Sequence, residues 1–177
     1  MRSAAKAVNF GIVYGISDFG LAKNIGISRK QAGEYISRYL EEFSGVAEYM
    51  KSIVEKAREE GFVRTLTGRI RYIPELKSSN YNIRQMGERI AMNTPIQGTA
   101  ADIIKVAMVN VEKKLEAYHL KSKLIMQVHD ELIIDALKSE SETVKEILRE
   151  CMVTDEFLSD VPLLLHVSEG DNWGMLK

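Results

Sequence analysis

Leu124-Ile125-Met126-Gln127-Val128-His129-Asp130-Glu131-Leu132-Ile133-Ile134 places two adjacent carboxylates between two apolar, β-prone runs. The runs predict a hairpin with Asp130 and Glu131 at its tip, and hence charge at one edge of a small sheet. Flanks this apolar do not suit a solvated loop. The acids must therefore be exposed, paired or metal-bound, because an isolated buried carboxylate is costly. Paired oxygen donors at a sheet edge suit a divalent cation in a cleft. An ordinary polar turn has the same residues, and the hairpin alone does not separate the two readings.

The other end of the chain narrows the choice. In Arg2-Ser3-Ala4-Ala5-Lys6-Ala7-Val8-Asn9-Phe10-Gly11-Ile12-Val13-Tyr14-Gly15, steps of four residues drift by only about 40° on a helix. Arg2, Lys6, Phe10 and Tyr14 thus form one slowly turning stripe of two cations followed by two aromatics. A guanidinium and an ammonium suit phosphates, and aromatic faces suit a base. Gly11 beside Phe10 would let a flat group approach the backbone. The plainer alternative is an amphipathic helix with solvated bases and core aromatics.

These residues resemble a known family. Arg2, Lys6, Phe10, Gly11, Tyr14 and Gly15 match the R-x-x-x-K-x-x-x-F-G-x-x-Y-G pattern of motif B in family A DNA polymerases. Val128-His129-Asp130-Glu131 resembles that family's motif C. Between them, Thr65-Leu66-Thr67-Gly68-Arg69-Ile70-Arg71-Tyr72-Ile73-Pro74 resembles the T-L-x-G-R-x-R-Y-x-P segment. Residues 88–102, Glu88-Arg89 through Asn93, Pro95 and Gln97-Gly98-Thr99-Ala100-Ala101-Asp102, resemble E-R-x-A-x-N-x-P-x-Q-G-[TS]-A-A-D. The four signatures stand in the family's order and span almost the whole chain. No counterpart of motif A, with its D-Y-S-Q-I-E-like aspartate, occurs in the 177 residues.

The resemblance implies an α+β chain, with a helical fingers-like part over residues 1–78 followed by the C-terminal part of a palm, with a small antiparallel sheet, over 79–177. It implies template-directed nucleotidyl transfer from a dNTP to a primer 3′-hydroxyl by two Mg²⁺ ions. Asp130 is then a metal ligand, and Glu131 a weaker ligand or a support. Arg2 and Lys6 would bind the triphosphate, and Lys6 could protonate the departing pyrophosphate. Phe10 would pack on sugar and base, and Tyr14 would guard the insertion site. Arg89, Asn93 and Gln97, spaced by four, would read the minor-groove face of primer-template DNA, where shared acceptors allow a sequence-independent check. His129 would contact the primer terminus, and Arg69 and Arg71 the template backbone. Without the resemblance, Asn93 and Gln97 read equally well as helix caps around Pro95. The implied partners are primer-template DNA, a dNTP, and the remainder of a polymerase chain, meaning a thumb and the motif A part of the palm. Without motif A the chain alone is expected to be inactive. The alternative is a non-catalytic nucleotide- or DNA-binding module.

Composition is compatible with this. A chain of 177 residues, 45% hydrophobic, can form one sizeable core or two small lobes. No membrane-length apolar run or signal-peptide pattern occurs, so a cytoplasmic location is expected. The net charge of −1 gives no global attraction to nucleic acid, so DNA affinity must come from local clusters. The one cysteine, Cys151, reads as a core residue in a helix.

Local signals predict a helix capped by Ser17 and stopped by Gly26, and a capping box at Ser28–Gln31 opening a helix to Phe43. A helix over 45–60 should stop at Gly61, with an extended 62–66 to follow. Two long helices, 80–92 and 97–117, are expected to be divided or bent at Pro95. A helix over 139–152 and a strand over 163–167 close the chain. Tyr35, Tyr39 and Phe43, spaced by four, are expected in the core.

Overall fold

The computed structural model describes residues 2–153 and 161–176, with the side chains of 2–4 and 7 left aside. It is an α+β chain of two compact units, Met1–Gly98 and Thr99–Lys177. In the first unit α1 (Arg2–Val13), α2 (Asp18–Ile25), α3 (Arg29–Glu42) and α4 (Ser44–Glu60) are followed by the antiparallel pair β1 (Phe62–Arg64) and β2 (Ile70–Tyr72). The long helix α5 (Tyr81–Ala117) runs from this unit into the second. There it is followed by the antiparallel pair β3 (Lys123–Val128) and β4 (Glu131–Asp135), then by α6 (Ser141–Met152).

The helix ends form where local chemistry dictates. Ser17 accepts a hydrogen bond from the Gly20 amide at the start of α2, and Gly26 closes that helix in the left-handed conformation. Ser28 and Gln31 make the reciprocal capping box of α3. At the end of α1, the Gly15 amide donates to Ile12 O and the Ile16 amide to Gly11 O, each at 2.8 Å, a Schellman closure with Gly15 at φ 74°. A Cβ on Gly15 would lie 2.6 Å from Met92 Cε and 3.1 Å from Arg89 Cγ, so the turn after α1 is seated against α5. Gly11 faces the returning Ile16 side chain, 3.2 Å from where its Cβ would be. The space at Gly11 is therefore filled from within the chain, which corrects the expectation of room for a flat ligand there.

Each unit has its own core. Ala57, Val63, Ile73, Leu76 and Ala91 are buried together in the first, and Val111, Leu115, Val144, Ile147 and Cys151 in the second. Full burial of a side chain such as Ile147 stabilises by roughly 1.5–3 kcal/mol. One face of the β3–β4 hairpin, Leu124, Leu132 and Ile134, packs on the second core. Cys151 is the core residue the sequence suggests, and burial raises its thiol pKa.

Four expectations are revised. α5 continues through Pro95 instead of dividing there; the proline leaves the Ala91 carbonyl without its usual donor, and next to it the Tyr49 hydroxyl donates to Met92 O at 3.2 Å. Residues 163–167 alternate between half-buried and exposed as a strand would, but pair with no ladder among the described residues. The extended stretch after Gly61 is half of a hairpin completed by 70–72, which was not foreseen. Tyr35 and Phe43 are 48% and 50% exposed. Only Ala32 of α3 is fully buried. Tyr35 and Phe43 stay at the surface, and the Tyr39 and Phe43 rings pack on each other, 4.7 Å between centroids and inclined at 46°.

The hairpin in the second unit is anchored at its base by Glu140. Its carboxylate accepts from the Lys121 and Ser122 amides and from the Ser122 hydroxyl. The Ser122 hydroxyl, then the Lys121 amide, hold its pKa below the ordinary 4.5. A carboxyl whose folded pKa is lowered stabilises the fold fully above its unfolded value and stops doing so as pH falls through the folded one. Glu140→Gln should therefore melt at a lower temperature than the parent at neutral pH, with the gap closing as pH drops below 4.5. A gap independent of pH in paired thermal melts would deny the carboxylate this role.

Candidate functional site

The first set of residues lies on α1. Lys6 Nζ stands 5.7 Å from the Phe10 ring centroid, and the Phe10 and Tyr14 rings are 6.1 Å apart and inclined at 35°. Phe10 and Tyr14 are 47% and 42% exposed, so this is a surface stripe and not a core face. The ammonium over the ring is a cation–π contact that fixes the spacing of charge and aromatic. From the opposite side, the Tyr39 hydroxyl donates to Asn9 Oδ1 at 2.7 Å and ties α3 to α1. Arg2 opens the helix, and its side chain lies outside the described residues.

The second set is on α5 within the same unit. Arg89, Asn93 and Gln97 follow at intervals of four on an uninterrupted helix, so they share one face. Because no helix begins or ends at Pro95, capping does not account for Asn93 and Gln97. Arg89 Nε donates to Gln85 O at 3.3 Å, which keeps the exposed guanidinium close to the helix.

Arg69, just before β2, and Arg71, paired with Val63 in the middle of the β1–β2 ladder, are turned onto α5. Arg69 Nη2 donates to Gly98 O at 3.1 Å, and Arg71 Nη1 to Thr94 Oγ1 at 3.3 Å. A Cβ on Gly98 would lie 2.5 Å from Thr65 Cγ2, so the hairpin tip meets α5 where only a hydrogen fits.

The acidic pair belongs to the second unit. Val128 pairs with Glu131, which leaves His129 and Asp130 as the two central residues of the turn. His129 has φ 54° while Asp130 does not have a positive φ, the pattern of a type II′ hairpin turn, whose first position is normally glycine. A histidine held there costs about 1–2 kcal/mol. Such strain concentrates at functional turns. The turn is held by Gln127 Nε2, which donates to His129 O at 2.5 Å.

Asp130 thus stands in the turn itself, outside the strand alternation that would set it opposite Glu131. Glu131 begins β4 on the face of Val128 and Ile133. A bulge at Ile125 makes this possible. With one extra residue, Leu124 faces the core with Ile134 while Met126 and Val128 lie on the opposite face. Both carboxylates border a cavity of about 350 Å³ whose far wall includes Leu164, His166 and Trp173. The sequence reading gave these residues no role in the site, although it placed Leu164 and His166 in an expected strand. They lie well beyond the hairpin in the chain, and no local pattern marks them as partners of the acidic turn.

Asp130 and Glu131 are exposed, hard oxygen donors. No group of three or more His, Cys, Asp or Glu suited to a metal occurs among the described residues. Magnesium is commonly held by one or two carboxylates, with substrate phosphates and water completing its shell. The pair fits that partial role and not a closed protein cage. No helix among the described residues is long and apolar enough to cross a membrane.

Comparison with known proteins shows the family. The family model described as DNA polymerase family A matches residues 1–175. DNA polymerase I of Bacillus subtilis (strain 168) is 55% identical over 173 residues, which are 98% of this chain and 20% of the relative. DNA polymerase I of Caldicellulosiruptor bescii is 57% identical over 173 residues, with the same coverage. The chain spans about a fifth of the length of these curated relatives. Among solved structures, the POL domain of Pol1 from M. smegmatis, in complex with DNA primer-template and dNTP, matches with a TM-score of 0.81 at 43% identity. That match covers 85% of this chain and 27% of the other.

Proposed function

The chain belongs to DNA polymerase family A, and from that premise we propose that it is the fingers and C-terminal palm portion of a template-directed DNA polymerase. Residues 1–78 are assigned to the fingers and 79–177 to the palm. The observation that carries the reading is the α1 stripe, an ammonium on an exposed phenyl ring with a second exposed ring one turn on. An ammonium followed by two exposed rings on one helix face offers a phosphate site and a stacking surface together.

In this reading Arg2 and Lys6 bind the triphosphate of an incoming dNTP. Lys6 also delivers a proton to the pyrophosphate oxygen as it leaves, for which a flexible ammonium is well suited. Phe10 packs against sugar and base, and Tyr14 closes the insertion position. Asp130, with Glu131 as the weaker partner, holds Mg²⁺. Two such ions, when bound, stabilise charge on the attacking and departing oxygens. His129 touches the primer terminus. Arg89, Asn93 and Gln97 follow the minor groove of the primer-template. Arg69 and Arg71 already donate to α5, and the further N–H groups of each guanidinium can reach template phosphates. No motif A carboxylate is present in the 177 residues, so in isolation the chain binds nucleotide without transferring it. Cytoplasmic action and a role in replication or repair are part of this proposal.

Lys6→Ala tests the stripe. It should weaken dNTP binding by about ten-fold or more, the worth of a charge-assisted contact, and leave deoxynucleoside binding nearly unchanged. Equal loss for both ligands in calorimetric titration would make Lys6 a packing residue and remove the main support for the reading.

A further inference from the structure

The β1–β2 hairpin has an outward face that the proposed chemistry does not use. Its register pairs Phe62 with Tyr72 and Arg64 with Ile70, while Val63, between them, is buried in the first core. Strand alternation therefore sends Phe62, Arg64, Ile70 and Tyr72 away from that core. Tyr72 is 72% exposed and Ile70 38%. The Phe62 and Tyr72 rings meet edge to face at 5.9 Å, and the Arg64 guanidinium lies 4.8 Å from the Phe62 centroid. Arg64 Nη1 also donates to Gly68 O at 3.4 Å, so the guanidinium is held over the ring.

Charge selects the occupant. Of the three arginines between Phe62 and Tyr72, Arg69 and Arg71 are turned onto α5, and the outward face keeps Arg64 in a segment with no acidic residue. A guanidinium set beside exposed aromatic rings is what single-stranded nucleic acid uses: a phosphate meets the charge and unpaired bases stack on the rings. A protein partner seeking an apolar face would gain little from a sheet whose centre is a guanidinium.

We infer that the Phe62–Arg64–Tyr72 face is a stacking platform for single-stranded DNA, taking an unpaired base on Tyr72 and a phosphate on Arg64. The choice of DNA rests on the polymerase reading, in which the unpaired strand is template. The platform shares no residue with the α1 stripe or the acidic turn.

The test uses the 177-residue chain, fluorescence anisotropy, and a labelled oligothymidylate of about twenty nucleotides, long enough for a site of this kind. Tyr72→Ala should weaken binding about ten-fold, with Tyr72→Phe close to the parent, because stacking needs the ring and not the hydroxyl. An oligonucleotide of the same length with abasic sugars should bind the parent and Tyr72→Ala equally, and should bind Arg64→Ala more weakly than either. Tyr72 is exposed, so its variants should melt like the parent. Unchanged thymidylate affinity in Tyr72→Ala overturns the inference, as does an equal loss for the abasic strand. A concentration-dependent dimer in sedimentation that Tyr72→Ala abolishes, with oligonucleotide affinity unaltered, would assign the face to a second copy of the chain and also overturn it. Binding of dNTP through Lys6 is read separately, so failure of the platform and failure of the polymerase reading are distinguishable.

Discussion

Asp130→Asn is expected to lower primer extension by about a thousand-fold or more when the chain is joined to a segment carrying motif A. A metal-bound carboxylate contributes several kcal/mol of charge stabilisation in the transition state, and each 1.4 kcal/mol is about a factor of ten in rate. The amide keeps the shape of the side chain and removes its charge, so the turn at His129 should survive the change. Glu131→Gln should lose much less. Glu131 is paired to Val128 at the start of β4, whereas Asp130 stands free in the turn. Single-turnover extension at saturating dNTP measures both. A loss under about ten-fold in Asp130→Asn would remove this residue from the metal site.

Phe10→Tyr is expected to relax sugar selection in the same joined enzyme, by on the order of a hundred-fold. Family resemblance associates phenylalanine at this position with rejection of nucleotides lacking a 3′-hydroxyl, and tyrosine with their acceptance. The physical account is that a phenyl ring offers no hydrogen bond where the missing hydroxyl leaves polar groups unsatisfied. The Phe10 ring is exposed beside Lys6, on the face where the triphosphate is placed, so an added hydroxyl would meet ligand and not core. Competition between deoxy- and dideoxynucleotides decides it. Equal discrimination by both versions would show that Phe10 does not line the sugar.

What the sequence made legible was local. The boundaries of α2 and α3 are set by Ser17, Gly26 and the Ser28–Gln31 box, whose hydrogen bonds span only a few residues. The stop of α4 at Gly61 needs only a left-handed residue. The acidic turn was legible because apolar runs on both sides leave no other place for it. What was not legible depends on partners distant in the chain. β2 is three residues long and exposed throughout, too short for its alternation to mark a strand; it exists because Ile70–Tyr72 pairs with Phe62–Arg64. Residues 163–167 alternate correctly and find no strand to pair with among the described residues, because alternation states a preference and pairing needs a neighbour. Pro95 suggests a division or a bend, yet α5 is not divided there, since its packing against the first core on its Ala91 side outweighs one lost hydrogen bond. In the site, the four-residue stripes on α1 and α5 could be read from spacing. The left-handed His129 and the bulge at Ile125 could not, since both follow from pairing register.

Primer extension by the purified chain, alone and then mixed with an upstream polypeptide bearing the motif A aspartate of a family relative, tests the central claim most directly. The account predicts dNTP binding that depends on Lys6, no extension by the chain alone with magnesium, and extension on mixing that Asp130→Asn abolishes. Robust extension by the isolated 177 residues, dependent on Asp130, would contradict it.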